Sequence, residues 1–217
     1  MLIVPEILLE EFKTPARAQG KRQTCLAFAI SDLNRQFAPA DLSPEYLYQR
    51  AALASPNWKP GDRLIFADAQ QAAQDGQPEE VHFPYCSVDP IPPIPALPAN
   101  LTHFGCAPTY VSGDPTDIAS LIRAGRAVGL GLRVTQEFFD PVAGVVPYSE
   151  EVMPSILHAV VAVGVGRKEG EVVPWFYVRN SWGPTWGQQG HAWISGEYVA
   201  AHAACAFGVD HGQNHRQ

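Results

Sequence analysis

Residues 180–190 read NSWGPTWGQQG. This stretch combines an Asn, two Trp-Gly pairs and a closing Gly at a spacing that generic core packing does not require. It sits between two strand-like runs, VPWFYVRNS (173–181) and GHAWIS (190–195). Upstream, AVGLGLRV (127–134) and HAVVAVGVG (158–166) also read as strands. The second opens with His158, and a lone His on an apolar strand is ordinarily a satisfied core residue. Far upstream, CLAFAISDLNRQF (25–37) places Leu26, Ile30, Leu33 and Phe37 on one face of a helix. Thr24 stands in the N-cap position, and Cys25 is the first helical residue. Unpaired N–H groups and the positive end of the helix dipole favour a thiolate there. Taken alone, Cys25 reads as one more buried cysteine.

The rest of the chain divides into a helical first part and a strand-rich second part. A helix opens at Ser43-Pro44 and runs through EYLYQRAAL; another opens at Asp62 and stops at Gly76; a short one spans 115–124 with Asp114 as cap and Gly125 as stop. Prolines 84, 90, 92, 93, 95 and 98 forbid regular structure over 84–98 and suggest an extended connector between the two parts. The expected class is α+β, with a helical lobe over about residues 20–110 and an antiparallel β-rich lobe over about 111–210. Residues 1–15 are expected to pack on the β-rich lobe. The start, MLIVPEILLEEF, has no basic n-region and is broken by Pro5 and Glu6, so it reads as a strand and not as a signal peptide. That points to a cytoplasmic protein or one delivered by a specialised secretion route.

Hydrophobic residues make up 46% of the 217 and charged residues 17%, which excludes disorder throughout. The net charge of −7 argues against a dedicated nucleic-acid binder. No window approaches the ~18 apolar residues of a membrane span. The four cysteines, Cys25, Cys86, Cys106 and Cys205, form no Cys-x-x-Cys pair, so neither a zinc site nor a disulfide scaffold is expected. His82, His103, His191 and His202 show no ligand spacing, and no metal or cofactor is expected.

Three of the residues singled out suit thiol chemistry. Cys25 is a nucleophile, His158 a base for it, and Asn180 can orient the imidazole through its side-chain carbonyl. Gln19 and the Cys25 backbone N–H can supply donors to a developing oxyanion. With Pro15, Gln19-Gly20, Thr24-Cys25-Leu26-Ala27-Phe28-Ala29, LSPEYLY (42–48), His158-Ala159-Val160 and the 180–190 stretch in this order, the chain resembles the papain-like cysteine peptidases, the C1 family and its bacterial relatives. The spacing also resembles that of the papain type, in which His and Asn follow the Cys by roughly 130–150 residues. The resemblance implies a two-lobe fold with a helical lobe carrying Cys25, a β-barrel-like lobe carrying His158 and Asn180, and the active-site cleft between them. It implies a cysteine endopeptidase acting through a thioester acyl-enzyme on a protein or peptide substrate. Trp182 occupies the place of the family indole that shields the Asn–His bond.

The departures concern the surroundings of the site. The loop Gly20-Lys21-Arg22-Gln23-Thr24 has no Cys, so the family disulfide of that loop is absent, and Gln23 at the usual Gly position adds bulk beside the cleft. Leu26 replaces a Trp, and Leu157 stands where Asn or Asp is common. Ala159 falls where the family lines its main specificity pocket. No Gly-rich substrate-pairing segment is recognisable between 50 and 80. Lys21-Arg22 reads as a solvated turn, or as a basic step favouring acidic groups on a primed-side substrate. Only residues 1–24 precede Cys25, too few for an inhibitory pro-segment, which suggests a specialised processing enzyme or a bacterial effector with a dedicated inhibitor or immunity protein. The alternatives are a transpeptidase or deamidase using the same acyl-enzyme, or a non-catalytic peptide-binding module on the same fold.

Overall fold

The computed structural model describes residues 3–91 and 96–210. These form five α-helices, α1 (Cys25–Arg35), α2 (Pro44–Ala54), α3 (Phe66–Gln74), α4 (Pro115–Arg123) and α5 (Gly196–His202). They also form seven strands, β1 (Ile3–Leu8), β2 (Thr109–Val111), β3 (Val128–Thr135), β4 (Val152–Lys168), β5 (Trp175–Arg179), β6 (His191–Ser195) and β7 (Ala203–Gly208). Three short 3-10 turns complete the regular structure, among them Gln136–Phe139. The class is α+β with an antiparallel sheet. Two compact units account for the described residues: 3–18 with 110–208, and 19–109 with 209–210.

In the β-rich unit the strand order is β2-β7-β3-β4-β5-β6, with β1 paired to β4 off this path. Strand β4 is long enough to take three partners. β5 lies along residues 161–166 on one edge, while β3 and then β1 share the other edge. Val-rich β4 therefore runs well beyond the 158–166 expected from composition. Its flanking residues 152–157, VMPSIL, break the run at Pro154-Ser155, and pairing of Leu157 with Arg133 and of Val152 with Thr135 carries the strand past the break. On β3, Leu130, Leu132 and Val134 bury one face against Ile118 and Ile122 of α4. The alternate residues, Gly129 and Gly131, face Phe207 and Cys205 across the β3–β7 register. A Cβ on Gly129 would stand 2.2 Å from the Phe207 ring. Neither α5 nor β7 is legible in the Ala-rich sequence that forms them, although Ser195 caps α5 by accepting the Tyr198 N–H at 3.1 Å.

In the helical unit, Ser43 accepts the Tyr46 N–H at 3.0 Å and Pro44 takes the first position of α2. The helix expected from Asp62 begins four residues later, at Phe66. Asp62 is used backwards instead: its Oδ2 accepts the Lys59 N–H at 2.7 Å and closes a turn. Helix α1 is buried on more than its apolar face, because Ser31 and Asn34 have dedicated partners. Gln77 Nε2 donates to Ser31 Oγ at 2.6 Å and to Ser43 O at 2.7 Å. Asn34 and the Cys106 backbone exchange hydrogen bonds of 3.2 and 3.1 Å. The proline-rich segment lies within this unit as irregular chain over 84–91 and 96–98. Pro92, Pro93 and Pro95 of that segment, and His211 and His215 of the C-terminal tail, lie outside the described residues.

Replacing Gly129 by Ala should drive a methyl into the Phe207 ring and cost about 1–3 kcal/mol of stability. The loss would appear as a lower urea midpoint at unchanged slope. A midpoint equal to wild type would show that Phe207 moves aside freely.

Candidate active site

The 180–190 stretch folds as a tight excursion between β5 and β6, and its glycines have geometric reasons. Gly187 and Gly190 adopt φ of +56° and +84°. A Cβ at Gly187 would stand 2.2 Å from His191 O, and one at Gly190 would stand 2.2 Å from Ala16 Cβ. Segment 14–18 lies alongside. The Ala16 N–H donates to Gln189 O at 3.0 Å, and the Gly183 N–H donates to Arg17 O at 3.1 Å. Arg179, almost wholly buried at the end of β5, donates to Thr14 O at 2.5 Å and Pro15 O at 3.3 Å. The Asn180 N–H donates to Gly190 O at 2.9 Å, which closes the excursion at its base.

This frame sets the Asn180 side chain, which is 2% exposed. Its Oδ1 accepts the Ser181 backbone N–H at 2.7 Å and lies 2.6 Å from His158 Nε2. A backbone N–H can only donate, so it fixes the oxygen on this side of the amide. An amide oxygen can only accept, so His158 Nε2 carries the proton. In the neutral ring Nδ1 is then the proton acceptor. His158, in β4, is 5% exposed. The Trp182 ring lies 4.6 Å from the imidazole, centroid to centroid, and stacks on Phe139 at 5.1 Å. Phe138 sets its edge toward both Trp182 and His158 at 5.6 and 6.0 Å. Trp186 anchors the group by donating Nε1–H to Phe138 O at 2.8 Å. An Asn–His bond beneath aromatic rings exchanges less with water and is held better than a wet one. The sequence does not mark Phe138 and Phe139 as part of the site. The only signal is the Phe-Phe pair after β3, which reads as core.

The remaining candidates lie in two sets. Ala159, buried next to His158 in β4, belongs with Asn180 and Trp182 in the β-rich unit. Gln19, Gln23, Cys25 and Leu26 belong to the helical unit. Cys25 begins α1 and is half-buried, Leu26 is half-buried and Gln23 is exposed. No acidic residue stands in the first turn of α1, so nothing there opposes the helix dipole at the thiol. Thr24 holds the N-cap position, but its hydroxyl does not cap. It shares a 2.8 Å hydrogen bond with Tyr85 Oη. Gln19 is buried and donates Nε2–H to Arg22 O at 2.6 Å.

Arg22 corrects the reading of Lys21-Arg22 as a solvated basic step. Lys21 is exposed, whereas the Arg22 side chain is 4% exposed and lies 2.5 Å from Glu45 Oε2 and 2.6 Å from Asp89 Oδ1. Its charge is spent inside the unit, and the hydrogen bonds to both carboxylates outweigh desolvation and push its pKa up. His191 and His202 are satisfied core residues. Their ring N–H groups donate to Gln189 O at 3.1 Å and Ser149 O at 2.7 Å. No cluster among the described residues could hold a metal ion, and no helix is long and apolar enough to cross a membrane.

A family model described as "Papain family cysteine protease" matches residues 82–208, more than half of the chain and including His158 and Asn180. The chain belongs to the papain family of cysteine proteases. The matched segment begins after Cys25. Pro-cathepsin H of Bos taurus is 48% identical over 50 residues, which cover 23% of this chain and 14% of that protein. Germination-specific cysteine protease 1 of Arabidopsis thaliana is 43% identical over 54 residues, covering 24% and 14%. These alignments thus span about one seventh of each relative. Among solved structures, digestive procathepsin L2 from Tenebrio molitor superposes with a TM-score of 0.73 at 21% identity, covering 90% of this chain and 64% of that one. Xylellain, a cysteine protease from Xylella fastidiosa, gives 0.73 at 18% identity, covering 96% and 87%. The structural likeness establishes a shared papain-like fold.

Two outcomes test the site's chemistry. Nitrogen chemical shifts of His158 in the neutral ring should report the Nε2–H tautomer, and N180A should lose that bias; an Nδ1–H ring in the wild type would overturn the assignment. The second concerns the other thiols of this papain-family chain. Burial pushes Cys106 up to about 11 and raises Cys205 as well. The unfolded thiol titrates near ~8.5. The stability tied to Cys106 is therefore fully present below that value and lost as pH rises through about 11, because the unfolded chain sheds its proton first. The urea midpoint should fall between pH 8.5 and 10.5 and fall less steeply in C106A, and equal slopes would remove Cys106 as the cause.

Proposed function

We propose that this chain is a cysteine endopeptidase in which Cys25, His158 and Asn180 act together on the peptide bonds of a protein or peptide substrate. The observation that carries the reading is the 2.6 Å bond between His158 Nε2–H and Asn180 Oδ1. It leaves Nδ1 as the basic atom of a buried, oriented imidazole, the state a general base needs. Nδ1 takes the proton of the Cys25 thiol, whose thiolate is favoured by its place at the start of α1. The thiolate sulfur attacks the scissile carbonyl carbon, and the carbonyl π electrons move onto oxygen. Gln19 Nε2–H and the Cys25 backbone N–H are the donors proposed for that oxyanion. Collapse breaks the C–N bond, and the imidazolium returns its proton to the leaving amine. Water, deprotonated by His158, then cleaves the thioester and restores the thiol. Asn180 keeps its acceptor toward Nε2–H throughout and so favours the imidazolium formed on the way.

Gln23, Leu26, Ala159 and Trp182 are the side chains proposed to face the substrate.

Labelling with an epoxysuccinyl thiol electrophile, followed by peptide mapping, tests the assignment. Rapid modification confined to Cys25 in the wild type, and lost in H158A, is expected. C25S should abolish amide hydrolysis, and Q19A should lower kcat roughly 100- to 1,000-fold, as loss of one oxyanion donor does. Slow labelling spread over all four cysteines would overturn the proposal. Product masses separate hydrolysis from transfer and deamidation: hydrolytic fragments together weigh the substrate plus one water.

A further inference from the structure

Within the helical unit, residues 19–24 form no helix or strand and yet are tied down at three points. Tyr85 Oη–H donates to Gln19 O at 2.8 Å and also bonds the Thr24 hydroxyl at 2.8 Å, so one phenol bridges the two ends of the loop. The middle is held by Arg22. Its Nη1 and Nη2 fork onto the two Glu45 oxygens at 2.5 and 3.3 Å, and its Nε–H donates to Asp89 Oδ1 at 2.6 Å. Nη1 also donates to the Cys86 carbonyl. Glu45 in turn accepts the Cys86 N–H at 3.2 Å and Gln49 Nε2–H at 2.8 Å. The guanidinium carbon stands 4.9 and 5.0 Å from the ring centres of Tyr48 and Tyr85. A cation buried among two carboxylates, a carbonyl and two aromatic faces has one geometry available to it, and the planar fork defines that geometry in a way an ammonium cannot.

The consequence reaches the Gln19 side chain through the Arg22 carbonyl oxygen. Gln19 Nε2 donates to the carbonyl of Arg22 itself, at 2.6 Å. The direction of the Gln19 amide is therefore set by where the Arg22 backbone lies, and that is set by the Arg22 side chain. We propose that Arg22, with Glu45 and Asp89 as its anchors, is the positioning residue for the Gln19 amide. This rests on the proposed role of Gln19 as an oxyanion donor. Segment 85–89 then serves as a clamp on the catalytic loop, with Tyr85 fixing its ends and the cation its centre.

The test uses the full chain with R22M and, as a milder change at the less buried anchor, D89N. Expected is a fall in kcat on a peptide substrate of roughly 10- to 100-fold for R22M, the scale of a displaced catalytic group, with KM within about threefold of wild type. D89N should fall less. In a Q19A background R22M should change kcat by less than about threefold, because its effect passes through Gln19. Alkylation of Cys25 by iodoacetamide, which forms no oxyanion, should keep its wild-type rate. A merely structural role would lower kcat by the same factor with and without Gln19, and that result would overturn the proposal. So would an unchanged kcat in both variants. Trypsin nicking after the exposed Lys21, measured in the C25A chain, reads the clamp without activity. Wild-type loop sequence should resist cleavage, and R22M or D89N should be nicked. Absence of hydrolysis in the wild type would remove the peptidase reading, and resistance of both variants to nicking would remove the clamp.

Discussion

Asn180 Oδ1 accepts two hydrogen bonds at once, one from its neighbour's backbone and one from an imidazole twenty-two residues away in sequence. Much of the β-rich unit serves to keep that oxygen in place. The backbone bond locks the amide orientation, so the His158 tautomer follows from geometry. The Trp-Gly pairs contribute in two ways: the Trp182 indole covers the bond with Trp186 packed behind it, and the glycines let the chain fold back tightly, Gly183 against Ala18 and Gly187 against the His191 carbonyl. Arg179, immediately before Asn180, holds Thr14 and Pro15 by their carbonyls. A long way from His158 in sequence, the N-terminal segment thus becomes part of the frame around it.

The helical unit uses polar side chains in its interior for the same end. Gln77, Asn34 and Arg22 each replace a missing secondary-structure partner with a side-chain bond to irregular chain. A buried ion pair is a costly way to join two loops, since desolvation offsets much of the attraction. What it supplies is definition. The fork of Arg22 fits one arrangement of Glu45, Asp89 and the Cys86 carbonyl, and hydrophobic packing of the same volume would tolerate several.

Local signals in the sequence served well wherever the structure used them locally. Ser43-Pro44 and Asp114-Pro115 start helices because cap and proline act within one turn. Asp62-Gly76 misplaced a helix start because the Asp62 carboxylate is equally able to serve the residue three before it, and only the chain's path decides between the two. Thr24 fails as a cap for a related reason, a phenol sixty-one residues away. Residues 196–208 carry mostly Ala and Gly between a few large side chains, a pattern with neither period, and the α5–β7 division comes from pairing with β3. The aromatic cover over His158 was half legible: Trp182 and Trp186 stand out, and Phe138 and Phe139 do not.

By itself the sequence determined the class of fold, the family, and which side chains are chemically fit to act, because composition, periodicity and a dense motif such as 180–190 are properties of short stretches. The tertiary structure alone decided which nitrogen of His158 holds the proton and that Arg22 is an internal anchor and not a surface charge. Both are questions of which partner, among many of equal chemistry, arrives within 3 Å. Only the folded path of residues distant in sequence answers them.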